Sequence, residues 1–181
     1  MLCGSCLVSA PPWDGALAAL IYDYPLDRLV HRFKFRRNLI CGQVLADEML
    51  AMPGLSGAPH PDVLVPVPLH FTRRFMRGFN QAEFLARSLG RQLGIAVGAD
   101  RLRRTRRTPA QSGLDKKARQ KNIRGAFSGQ RLRGLRIALI DDVMTTGTTL
   151  AECTRAARLA GAKSVTVWVA ARVPADGSQV S

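Results

Sequence analysis

The stretch "RIALIDDVMTTGTTLAECTRAARLAGAKSVTVWVAA" (136–171) constrains the fold more than any other part of the chain. "RIALI" (136–140) is a short apolar run of β character, and "DDVMTTG" after it reads as loop. "TTLAECTRAARLAG" reads as helix, because Leu150, Cys153, Ala157 and Ala160 recur near helical spacing and Gly161 provides a stop. "SVTVWVAA" (164–171) is then a strand rich in β-branched residues. Strand, helix and strand in this order make a βαβ unit, which builds a parallel sheet.

The middle of the chain repeats the theme. "DVLVPVP" (62–68) is an apolar strand stopped by Pro66 and Pro68, followed by the basic loop "HFTRRFMRGFN". "QAEFLARSLGRQLG" (81–94) then predicts a helix with Ala82, Leu85, Ala86, Leu89 and Leu93 on one face. Gly54–Pro61 reads as a linker between this core and an N-terminal third. That third holds the apolar segment "ALAALIYDYP" and two helix-like stretches around 26–35 and 39–52. The expected class is α/β, divided into residues 1–57 and a core of 58–181.

At 181 residues and 46% apolar content the chain can bury an ordinary core. No run approaches the roughly 18 apolar residues of a membrane helix. The start, "MLCGSCLVSAPPWDG", lacks the pattern of a signal peptide, so no membrane insertion and a cytoplasmic location are expected. Charge is the unusual feature: 27 Lys+Arg against 13 Asp+Glu leave a formal net charge of +14. Residues 101–124 hold ten Lys/Arg and one acid, Asp115, while "RLVHRFKFRR" (28–37) holds five more. Two dense basic clusters point to an anionic partner, phosphates, nucleic acid or both, over a merely solvated face.

Against that background, the acids of "IDDVMTTGTT" (140–149) stand out. Carboxylates at the C-terminal end of a parallel strand face the crevice where α/β proteins bind ligands. Gly147 permits close backbone approach, and the helix start after it favours an anion through its free N–H groups and dipole. Thr145, Thr146, Thr148 and Thr149 add hydroxyl donors. One end of the loop suits vicinal hydroxyls or a metal and the other a phosphate; a sugar phosphate offers both. The plainer alternative is a loop whose threonines only cap the helix. No G-x-x-x-x-G-K-[ST] occurs, so an ATPase P-loop lacks its motif.

"ALIDDVMTTGTTL" resembles the phosphoribosyl-pyrophosphate (PRPP) loop of type I phosphoribosyltransferases. "LVPVPLHFTRRFMRGFNQAEFLA", "TRRTPAQSGLDKKARQKNIRGAF" and this loop follow one another as in the ComF family, phosphoribosyltransferase-like proteins linked to DNA uptake in competence. The resemblance runs from "CGSCL" to "VTVWVAAR". It implies a type I phosphoribosyltransferase fold: a central parallel sheet flanked by helices, with a small N-terminal hood. It also implies PRPP bound with Mg²⁺, its ribose on Asp141 and Asp142 and its 5′-phosphate on Thr145, Thr146, Gly147, Thr148 and Thr149.

Pyrophosphate would fall to Arg73, Arg74 and Arg77, ahead of "GFNQ", where arginine and a helix start both suit phosphate. Segment 104–122 resembles the family's flexible loop, with Arg107 and the pattern Gln111, Leu114, Arg119, Asn122; a solvated basic helix is the alternative. Closing such a loop would keep water from a reactive oxocarbenium-like centre. Tyr22, Tyr24, His31 and Phe33 in the hood could stack a base or simply pack.

Cys3 and Cys6, "CGSC", have the spacing of half a zinc ribbon, and the family resemblance implies a four-cysteine finger that this chain enters part-way. Two ligands do not make a structural zinc site, so zinc is not expected here. Cys41 stands too far along a helix-like stretch to complete it, and Cys153 reads as core. The expected role is DNA uptake beside a competence helicase or translocase, with single-stranded DNA as a further partner. Whether phosphoribosyl transfer occurs stays open at this point. The alternative is a housekeeping transferase in nucleotide or nucleobase salvage. Oligomeric state is not legible.

Overall fold

A computed structural model describes residues 10–55, 60–69, 78–105 and 123–174. Five strands form one parallel sheet in the order β1 (Gly15–Ile21), β7 (Ser164–Arg172), β6 (Arg136–Met144), β2 (Val63–Pro66), β3 (Ala96–Val97). The short pair β4 (Leu102–Arg104) and β5 (Phe127–Gly129) is antiparallel and separate. The helices are α1 (Leu26–Arg36), α2 (Leu39–Leu50), α3 (Gln81–Leu93) and α4 (Thr148–Leu159). The expected parallel α/β sheet flanked by helices is present.

Alternation along β6 sorts the core into two layers. Ile137 and Leu139 face Leu150, Cys153 and Ala157 of α4, together with Val165 and Val167 of β7. Ala138 and Ile140 face the other way, onto Phe33 of α1, Leu45 and Met49 of α2, and Leu85 and Leu89 of α3. Covered on both faces, the central strands carry unbroken apolar runs, Ile137 to Ile140 in β6 and Val167 to Ala171 in β7, as expected of buried parallel strands. The helix after β2 therefore lies on one face and the helix after β6 on the other. Since β2 and β6 are neighbours, the chain changes direction between them, and a crevice opens beyond their C-terminal ends.

Three expected boundaries move. Asp141, Val143 and Met144 pair with Val169, Ala171 and Arg172, so β6 continues past Ile140 and both acids belong to the strand. The partner β7 is long enough to keep satisfying backbone groups there, which local loop propensity did not reveal. The linker predicted from Gly54 is also shorter: Pro53–Leu55 form a 3₁₀ turn, with Leu55 buried and Gly54 against Leu17. The strand expected over 62–68 is also shorter, running Val63–Pro66 and ending at Pro66, with the Val67 N–H still donating to the Ile140 carbonyl at 2.9 Å.

The N-terminal segment enters the sheet through β1, in register from Gly15 opposite Thr166 to Ile21 opposite Arg172. Its helices pack closely over the face shared with α3. Phe33 is fully buried, with its ring 5.5 Å from those of both Phe79 and Phe84. Gly42 makes room for it: a Cβ there would lie 2.4 Å from Phe33 Cε2. This anchoring fixes where the rest of α1 can reach.

Candidate sugar-phosphate site

The end of β6 carries Asp141 and Asp142 on opposite faces of the sheet, as successive strand residues must be. Asp141 continues the face of Leu139. Its carboxylate is close enough to α4 to help raise the Cys153 thiol pKa well above its ordinary value, after burial, the larger cause; Arg104 opposes the shift. Asp141 Oδ1 also accepts the Asp142 N–H at 3.0 Å. Asp142 continues the face of Ile140 and is 7% exposed.

Lys34 of α1 reaches Asp142 from the N-terminal third: its Nζ lies 3.0 Å from Asp142 Oδ1, with the two side chains 19% and 10% exposed. Charge repeats and motif spacing gave no sign of this pair, because 108 positions separate its members. The available clue was periodicity. Lys34 follows Phe33 and lies four positions after Val30, at the edge of the buried stripe of α1, while the remaining basic residues of that helix are exposed.

Beyond Met144 the chain turns through Thr145 and Thr146, both exposed, to Gly147 at φ 70°. Left-handed backbone at this point calls for glycine, and a Cβ would stand 3.0 Å from the Trp13 ring. Gly147 is the N-cap of α4, and no side chain caps the helix in the usual way. The Thr146 and Thr148 hydroxyls meet each other at 2.9 Å, and the Thr148 N–H only approaches Thr146 Oγ1 at 3.5 Å. The first N–H groups of α4 thus stand just past the C-terminal end of β6 beside a set of hydroxyls, an arrangement suited to anions. Thr149 belongs to this first turn.

Across the crevice, Asn80 ties the start of α3 to the end of β2. Its Oδ1 accepts the Ala82 N–H and its Nδ2 donates to the Val67 carbonyl, each at 3.1 Å. Arg73, Arg74 and Arg77 lie outside the described residues, as do Arg107, Gln111, Arg119, Asn122, Cys3 and Cys6. Among the described residues, no group of three His, Cys, Asp or Glu is placed to hold a metal. Cys41 and Cys153 are free thiols. Of the hood residues, Phe33 is core, whereas Tyr24 and His31 are exposed. No described helix is long and apolar enough to cross a membrane.

No protein-family profile matches the chain. Among curated proteins it is 38% identical over 175 residues to "DNA utilization protein YhgH" of Salmonella typhi, spanning 94% of this chain and 77% of that protein. It is 35% identical over 178 residues to "Competence protein F" of Haemophilus influenzae, spanning 94% and 78%. Among solved structures, glutamine PRPP amidotransferase from B. subtilis is 24% identical with a TM-score of 0.46, over 76% of this chain and 26% of that one. Leishmania donovani UMP synthase is 17% identical with a TM-score of 0.44, over 81% and 29%. On the extent and identity of the sequence matches, the chain belongs to the family of competence protein F and DNA utilization protein YhgH.

Proposed function

We propose that this protein binds PRPP at the β6–α4 loop and serves DNA uptake. The observation carrying this reading is the juxtaposition, at one sheet crevice, of strand-borne carboxylates and an uncapped helix start opened by Gly147. A ribose would be met by Asp141 and Asp142, and a 5′-phosphate by the N–H groups and hydroxyls of residues 145–149. Mg²⁺ would arrive with the ligand, coordinated by pyrophosphate and water, because magnesium keeps several waters and needs few protein ligands. Arg73, Arg74 and Arg77 would take pyrophosphate, and the segment with Arg107, Gln111, Arg119 and Asn122 would close over it. Titration calorimetry with PRPP and Mg²⁺ tests the site: binding unchanged by Asp141→Asn/Asp142→Asn sinks the reading.

A second observation favours contact with single-stranded DNA. Tyr24, Arg28, His31, Arg32, Phe35 and Arg36 recur at three- and four-residue steps and are all exposed along one side of α1. Arg28 Cζ lies 5.1 Å from the Tyr24 ring centroid, and the His31 and Phe35 rings are 4.7 Å apart. Arg28, His31, Arg32 and Arg36 also line a cleft with Tyr22 and Asp27. Aromatic faces interleaved with cations suit stacked bases and their phosphates. Replacing Arg28, Arg32 and Arg36 by alanine is expected to flatten the log–log salt dependence of oligothymidylate binding by about 2 units. An unchanged slope removes this surface from the reading. A salvage transferase instead predicts pyrophosphate release from PRPP on addition of a nucleobase, whereas an uptake protein of this family is expected to act with a translocating helicase.

A further inference from the structure

The Lys34–Asp142 pair joins a helix of the N-terminal third to a carboxylate at the C-terminal end of β6 that the proposed function assigns to ribose. Three features make it more than a surface ion pair. Both side chains are largely shielded, at 19% and 10% exposure, so water screens the contact weakly. The fully buried Phe33 immediately before Lys34, set against Phe79, Phe84 and Gly42, holds this turn of α1 in place. Asp142 in turn is fixed on a central strand, its N–H held by Asp141 Oδ1.

We propose that Lys34 is a positioning residue for the sugar end of the site. Its ammonium sets the rotation of the Asp142 carboxylate by engaging Oδ1, which directs Oδ2 at an incoming ribose hydroxyl. An unheld carboxylate would have to be ordered at the moment of binding. The ammonium also offsets the repulsion that a bare carboxylate would exert on a phosphate-bearing ligand. The proposal rests on the sugar-phosphate reading of the β6–α4 loop and assigns to Lys34 the sugar increment alone, the threonine loop keeping the phosphate.

The test compares two probes, ribose 5-phosphate and inorganic phosphate, by calorimetry on the full chain, with inorganic phosphate measured by displacement. Wild type is expected to bind ribose 5-phosphate at least about 10-fold more tightly than phosphate, as charge-assisted hydroxyl hydrogen bonds allow. In Lys34→Met the ratio is expected to fall to within about 3-fold with phosphate binding unchanged, and Lys34→Arg is expected to restore most of it. Should Lys34→Met fail to fold by circular dichroism, Lys34→Ala, which removes every donor, must show the same narrowed ratio. An unchanged ratio in the neutral variant, equal loss of both probes, or tighter ribose 5-phosphate binding overturns the proposal; the last would mean that Lys34 competes with the ligand. Wild type binding phosphate and ribose 5-phosphate equally, or neither, instead overturns the sugar-phosphate reading and the Lys34 role with it.

Discussion

The two ends of the β6–α4 loop are built by different physics. At the strand end, Asp142 is shielded, ion-paired and dependent on a helix from another part of the chain. At the helix end, Thr145 and Thr146 are exposed, and the helix start is left without a side-chain cap beyond the left-handed Gly147. The first end is held by tertiary contact and the second by local geometry. Damage at a distance should therefore reach the proposed sugar end and spare the proposed phosphate end.

The largest expected effect is at the ion pair. Asp142→Ala leaves a shielded ammonium without its partner and should cost about 2–3 kcal/mol of stability in a urea melt, below the 3–5 kcal/mol of fully buried pairs because Lys34 keeps some access to solvent. Ribose 5-phosphate binding should be lost with it. Gly42→Ala comes next. Its Cβ would fall 2.4 Å from Phe33 Cε2 and 2.8 Å from Phe84 Cε1, so overpacking of about 1–3 kcal/mol is expected. By displacing Phe33 it should weaken ribose 5-phosphate binding more than phosphate binding. Equal loss of both would erase the distinction between the two ends.

Gly147→Ala provides the converse. A φ of 70° and a Cβ 3.0 Å from Trp13 predict about 1–2 kcal/mol of destabilisation in a thermal melt. Here phosphate affinity should fall, the sugar preference surviving. The smallest effect is expected at the opposite end of β6. Arg136 donates to Asp62 and holds its pKa near 2, chiefly through the side-chain hydrogen bond and then the backbone one. A depressed carboxylate pKa stabilises the fold above the ordinary value of 3.8, and that contribution is lost as pH falls from there toward 2. Melting temperature against pH should show this drop in wild type and a shallower one in Asp62→Asn. A comparably steep drop in the variant would assign the acid sensitivity to other carboxylates.

Much of the architecture was legible because it is written in short-range pattern. The helix at 81–93, the helix at 148–159 and the closing strand all emerge from spacings of two to four residues. The end of β6 was not, since Asp141 and Asp142 read as loop residues until β7 is seen alongside to satisfy their backbone. The basic cluster at 28–37 was visible as charge, but one of its five cations faces inward while Arg28, Arg32 and Arg36 form an exposed stripe. Composition counts charges without assigning them to faces.

The sequence by itself determined the βαβ unit, the glycine that opens the loop to close approach and the hydroxyl-rich start of α4, because each depends on residues within one helical turn or one strand of one another. Only the tertiary structure decided that β1 joins the sheet beside β7, that the two acids leave opposite faces, and that Lys34 closes on Asp142. The physical reason is reach. Backbone propensity acts over a few residues, whereas a shielded ion pair is selected by which distant side chains the packed core brings within 3.0 Å.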